Sequence, residues 1–147
     1  MTVAKPDFVL RTYIQCSRDA LWDALTSPEE IAKYHFLTDL VARDGNALAY
    51  EFAPGEPMLR CTDISVEPKT RIEQTFEGHW DGAGAPSRFV YLIEEDGGLC
   101  ALTLEHYDLG QVVMPDDGVA DGWARLLAGL KTYLETGSAL PFSLASA

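Results

Sequence analysis

Apolar and polar residues alternate from Phe8 to Gln15, with β-branched and aromatic side chains frequent, which predicts a first strand. The period then lengthens. Ser17 is placed to cap a short helix carrying Leu21, Trp22, Ala24 and Leu25. Ser27-Pro28-Glu29-Glu30 predicts the start of a second helix. Ser27 serves there as N-cap, Pro28 as first helical residue and Glu30 as the reciprocal carboxylate of a capping box, ahead of Ile31 and Tyr34.

From Leu37 to Tyr107 the period is two and the punctuation is that of hairpins. Six strands are predicted: Leu37–Arg43, Leu48–Phe52, Met58–Val66, Arg71–Glu77, Arg88–Glu94 and Leu99–Tyr107. With the first strand they make about seven, joined by short connections, hence an antiparallel meander. A long helix closes the pattern from about Val119 to Thr136, with Asp117 as its cap and Gly137 as its stop. Val119, Trp123, Leu126, Leu127, Leu130 and Leu134 form one stripe along it. At about 1.5–3 kcal/mol each, burying them contributes at most roughly 9–18 kcal/mol, against about 5–15 kcal/mol of net stability for a whole domain. The helix therefore belongs to the core.

The chain has 147 residues, which fits one α+β domain with an ordered core at about 7–137 and a tail at 138–147. Eleven basic against 23 acidic residues leave a net charge of −12, a field that repels a phosphate backbone, so no nucleic acid is expected as a partner. No apolar run is long enough for a bilayer, so no membrane association is expected. Met1 to Asp7 holds one Lys5 and no apolar segment, so no signal peptide is expected. Cys16, Cys61 and Cys100 are odd in number and lack CxxC spacing, which predicts reduced thiols and a cytoplasmic location.

Alternation puts Phe89, Tyr91 and Ile93 on one face of their strand, and Cys100, Leu102, Leu104 and His106 on one face of the next. If those faces meet the long helix, Trp123, Leu127 and Leu130 close the space. That set is either a pocket for a small apolar or aromatic molecule, anchored by His106 and Tyr91, or ordinary core. His35, His79 and His106 lie on separate elements without metal spacing, and a site gathered in space from Cys61, Cys100 and His106 is only a remote alternative. His79 reads as a solvated loop residue, and His35 as support for a helix C-terminus. No GxSxG elbow, SxxK or phosphate-binding glycine pattern occurs, so no metal, cofactor or covalent catalysis is expected. Glu94-Glu95-Asp96 and Asp116-Asp117 read as solvated charge, and Gly122 and Gly129 as sites of close helix–sheet packing.

Two segments carry a resemblance. Ala20-Leu21-Trp22-Asp23-Ala24-Leu25-Thr26-Ser27-Pro28-Glu29-Glu30-Ile31 is similar to the opening of the family named after the activator of the heat-shock protein 90 ATPase. Gly122-Trp123-Ala124-Arg125-Leu126-Leu127-Ala128-Gly129-Leu130-Lys131-Thr132-Tyr133-Leu134-Glu135 is similar to its close, with Leu102-Thr103-Leu104-Glu105-His106 as a weaker third match. Where that family usually has a second tryptophan, this chain reads Ala32-Lys33-Tyr34-His35-Phe36. The resemblance implies a helix-grip fold of the START-like (SRPBCC, Bet v 1-like) superfamily, its sheet wrapped around the long helix with a cavity between. It leaves three functions in order: a non-enzymatic module for a small apolar ligand, a chaperone-interacting module, and a cofactor-free enzyme of polyketide cyclase or dehydratase type. The co-chaperone has an additional N-terminal domain for which this length has no room, so ATPase stimulation is not expected. An enzyme would draw on His106, Tyr91 or Glu105, and alternation turns Glu105 away. Monomer and homodimer are both left open.

Overall fold

The computed structural model describes residues 5–109 and 118–141. Its elements run β1 (Phe8–Ile14), α1 (Arg18–Thr26), α2 (Pro28–Tyr34), β2 (Leu40–Asp44), β3 (Ala47–Ala53), β4 (Glu56–Glu67), β5 (Arg71–Gly78), β6 (Ser87–Asp96), β7 (Leu99–Tyr107) and α3 (Val119–Thr136). The seven strands form one antiparallel sheet in the order β1-β7-β6-β5-β4-β3-β2. Every neighbour is a sequence neighbour except β1, which pairs with β7 and carries α1 and α2 across to the far edge. This is the α+β helix-grip architecture.

Two hairpins are set by glycine. Asp44 faces Ala47 and Asp96 faces Leu99, which leaves two-residue turns in which Gly45 and Gly97 hold φ of 60° and 64°. A side chain is strained at those angles, and glycine is not. One strand begins later than expected. Leu37–Asp39 is outside β2, because the Thr38 hydroxyl takes the Leu40 N–H at 2.9 Å and donates to the Glu51 carbonyl at 2.6 Å. Those side-chain bonds replace the ladder bonds of a strand.

Ser27 ends α1 and begins α2. Its N–H donates to the Asp23 carbonyl, while its Oγ accepts from the Glu30 N–H at 3.5 Å. The reciprocal half of the expected capping box is absent. The Glu30 carboxylate instead takes Lys33 Nζ at 2.7 Å and the Tyr133 hydroxyl at 2.8 Å, which ties α2 to α3. Both bonds hold its pKa below the usual range.

Helix α3 has the expected bounds and stops at Gly137, whose φ is 82°. Gly118 precedes it without a side-chain cap, and Asp117 lies outside the described residues. Val119, Trp123, Leu127 and Leu130 are buried, whereas Leu126 and Leu134 are half-buried margins of the stripe. The end of α3 is pinned to β1: Glu135 accepts the Gln15 N–H at 2.9 Å, and Lys131 donates to the Tyr13 carbonyl. A Cβ on Gly122 would sit 3.7 Å from the Phe36 ring, so this glycine faces the loop after α2 and not the sheet as expected. Among the described residues no helix is long and apolar enough to cross a membrane.

Candidate functional site

The registers of β5, β6 and β7 place Phe89 beside His106, Tyr91 beside Leu104 and Ile93 beside Leu102. These rows face α3. Phe89, Tyr91, Ile93, Leu102, Leu104, His106, Trp123, Leu127 and Leu130 are all buried, and all but His106 belong to one apolar core. The aromatic part is a set of rings around Trp123: Phe89 at 5.0 Å, His106 at 5.8 Å, and Phe76 and Tyr91 at 5.9 Å between centroids. Phe89, Tyr91 and His106 present edges to it, which suits the quadrupole of aromatic faces.

His106 is fully inaccessible and yet satisfied at both nitrogens. The Trp123 indole N–H donates to Nδ1 at 2.8 Å, and Ser87 Oγ lies 2.8 Å from Nε2. An indole nitrogen can only donate, so Nδ1 carries the lone pair, and the neutral ring has its proton on Nε2, directed at Ser87. Burial lowers its pKa to about 4, against the opposing pull of the Asp7 and Asp108 carboxylates. A serine nucleophile requires the reverse, a free Nε2 lone pair to take its proton. The arrangement therefore anchors a ring and does not activate Ser87.

Three participants were not among the expected residues. Ser87 and Phe76 sit opposite each other in the β5–β6 register. Trp80 packs on Phe76, and its ring lies within 2.7 Å of where a Cβ on Gly78 would be, so any larger residue at 78 displaces it. Strand parity could have found Ser87 and Phe76; Trp80 lies in a loop and obeys no period. Glu105 points to the opposite face, as expected, where it accepts from the Tyr107 hydroxyl at 2.8 Å.

His35 corrects the sequence reading. Its Nδ1 accepts the Leu37 N–H at 3.1 Å, its ring lies against Phe36 and Tyr50, and burial lowers its pKa to about 4. A neutral ring adds no cation to a helix C-terminus. His79 is exposed beside Glu77 at 3.3 Å. Cys16, Cys61 and Cys100 are free thiols, and among the described residues no three His, Cys, Asp or Glu side chains gather as metal ligands.

Two surface clefts lie elsewhere. One of about 630 Å³ runs between the start of α1 and the β6–β7 turn, past Cys16, Arg18, Lys69 and Glu95. The other, about 620 Å³, lies on β2, β3 and β4, past Leu40, Ala49, Tyr50 and Arg60.

Sheet, helix grip and buried aromatic site together define a START-like α+β protein. The chain belongs to the family described as activator of Hsp90 ATPase homolog 1-like protein, matched over residues 15–135. Its fold is similar to the solution structure of the Aha1 dimer from Colwellia psychrerythraea, with TM-score 0.69 and 18% identity over 92% of this chain and 98% of that one. CalU16 from Micromonospora echinospora gives TM-score 0.66 and 22% identity over 90% of this chain and 76% of that one. DynU16, from the dynemicin biosynthetic locus, gives TM-score 0.67 and 23% identity over 91% of this chain and 49% of that one. At these identities the likeness is one of fold. Comparison with curated proteins gives no match.

Proposed function

We propose that this protein binds a small apolar or aromatic molecule between the sheet and α3 and releases it unchanged. The observation that carries this reading is the Trp123–His106–Ser87 chain, set in a wall of aromatic rings. Such a wall suits an apolar ligand, which pockets hold with many apolar contacts and few polar ones. The fixed tautomer of His106 argues against a cyclase or dehydratase, because the one buried imidazole of the wall offers no basic nitrogen. Tyr91 is held protonated by burial and so supplies a donor, not a base. The test is native mass spectrometry of the purified protein, followed by thermal denaturation with whatever molecule is released. A bound species that raises Tm when added back supports the reading; a ligand converted to product on incubation overturns it.

The family description and the Aha1 dimer favour a second reading, a module that acts on a heat-shock protein 90 chaperone. Turnover of the chaperone ATPase at saturating protein separates the two. No stimulation is expected, and a several-fold rise would favour the chaperone role. The Aha1 structure is a dimer, so self-association of this chain is also open to test by sedimentation.

A further inference from the structure

Two of the three thiols are brought together by the fold. Ile14, at the end of β1, faces Cys100 in β7, and the chain then doubles back in a three-residue turn, with the Cys16 N–H on the Ile14 carbonyl at 3.0 Å. Helix α3 fixes that turn, since Glu135 accepts the Gln15 N–H at 2.9 Å and Lys131 donates to the Tyr13 carbonyl. The Cys100 thiol donates to the Cys16 carbonyl at 3.5 Å, and the two thiols lie within hydrogen-bonding reach of each other. They are 84 residues apart in sequence.

Their access to solvent differs. Cys100 belongs to the apolar core, whereas Cys16 is half-buried and lines the cleft of about 630 Å³ at the start of α1. The ion pairs Arg18–Glu95 and Lys69–Asp19 lie along that cleft and leave Cys16 on its wall. A small molecule there meets Cys16 first, with Cys100 behind it. Cys61 is buried on β4, opposite Leu48 in β3. Burial, then the Cys100 thiol and the Glu135 carboxylate, raise the Cys16 pKa to about 12, with Lys131 opposing them. The thiolate is the attacking form, so the first reaction at Cys16 is slow. The second is intramolecular, between groups that the backbone already holds together.

We infer that Cys16 and Cys100 are a redox pair, closed by exchange with a small-molecule disulfide of the glutathione class, and that the closed form locks the β1–α1 corner onto β7. The Cys16 thiolate attacks one sulfur of the small disulfide, whose S–S bond breaks and whose other half leaves as a thiolate and takes up a proton. Cys100 then gives its proton to solvent and attacks the Cys16 sulfur, which expels the second half as a thiol. The protein loses two hydrogens and is oxidised, and the small disulfide is reduced to two thiols. Excess small thiol reverses both steps. The link closes a long loop, which restricts chiefly the unfolded chain.

In the experiment the full chain, reduced and freed of reductant, is equilibrated with excess oxidised glutathione at about pH 9 until its count of free thiols is constant. A second arm refolds the unfolded chain in the same buffer, so slow attack on the folded protein does not conceal the equilibrium. Intact mass and peptide mapping after acid quench and alkylation should show a Cys16–Cys100 link, an alkylated Cys61 and no retained glutathione, all reversed by dithiothreitol. The linked form should melt about 4–16 °C above the reduced one. Cys100→Ser should stop with glutathione on Cys16, and Cys16→Ser should leave Cys100 unmodified in the folded arm. Three free thiols in both arms, a link through Cys61, or glutathione retained on Cys16 of the unsubstituted protein would overturn the pair. A linked form that melts no higher than the reduced one would overturn the lock. Should a variant fail to fold, the link map and Tm of the unsubstituted protein still decide.

Discussion

The Trp123 indole nitrogen donates to His106 Nδ1 at 2.8 Å, across the gap between helix α3 and strand β7. That one bond fixes the protonation pattern of the buried ring. It also orients the Trp123 ring against Phe89 and Phe76. In ¹⁵N spectra at neutral pH, His106 should show an unprotonated Nδ1 and a protonated Nε2. The opposite pattern would restore a possible base facing Ser87 and reopen the enzymatic reading.

The same burial makes stability depend on pH. His106 titrates near pH 4 in the folded chain and at about 6.5 when unfolded. As pH falls through that window, the unfolded state binds the proton first, so stability drops between about pH 6.5 and 4 and levels off below. The loss from this residue is about 2–3 kcal/mol by pH 4.5. Urea denaturation of the protein and of His106→Gln at pH 7.5 and 4.5 measures it. An equal pH slope in both proteins would assign the acid sensitivity elsewhere.

The Ser27 N–H closes α1, while its Oγ caps α2 and donates to Glu29 Oε2 at 3.0 Å. Ser27→Ala removes both hydroxyl contacts and keeps the N–H. The expected cost is about 1 kcal/mol, the usual worth of an N-cap, and less if the 3.5 Å contact is weak. Chemical denaturation reads it directly, and a loss well beyond 2 kcal/mol would mean that the hydroxyl holds more than the cap.

Helix α3 buries Val119, Trp123, Leu127 and Leu130, worth about 6–12 kcal/mol at about 1.5–3 kcal/mol each. That is comparable with the whole stability of a domain, about 5–15 kcal/mol. A chain ending at Asp116 should show no cooperative thermal transition by circular dichroism. A sharp melt would mean that the sheet, α1 and α2 are stable by themselves.

Where periodicity and local turn chemistry agreed, the sequence was enough. The bounds of α3, the glycine turns at Gly45 and Gly97, and the facing sides of β6 and β7 follow from residues close in the chain. Errors arose where a side chain answered to a distant partner. Glu30 left its expected cap for Lys33 and for Tyr133, 103 residues away. Thr38 drew Leu37–Asp39 out of β2 by bonding to Glu51. The site divides in the same way. Strand parity located His106 and the helical stripe located Trp123, but nothing local announced that one would donate to the other.

The claim that a ligand space exists between sheet and helix is tested most directly by Leu127→Trp, compared with the unsubstituted protein in urea at neutral pH. Leu127 is buried on the face of α3 that meets the sheet. If a cavity lies there, the larger side chain fills it, stability changes by less than about 1 kcal/mol, and binding of the small apolar molecule released in native mass spectrometry is lost. In a filled core the same substitution overpacks and costs about 1–3 kcal/mol or more. Retained stability with lost binding is the predicted result; a strongly destabilised variant would contradict the account.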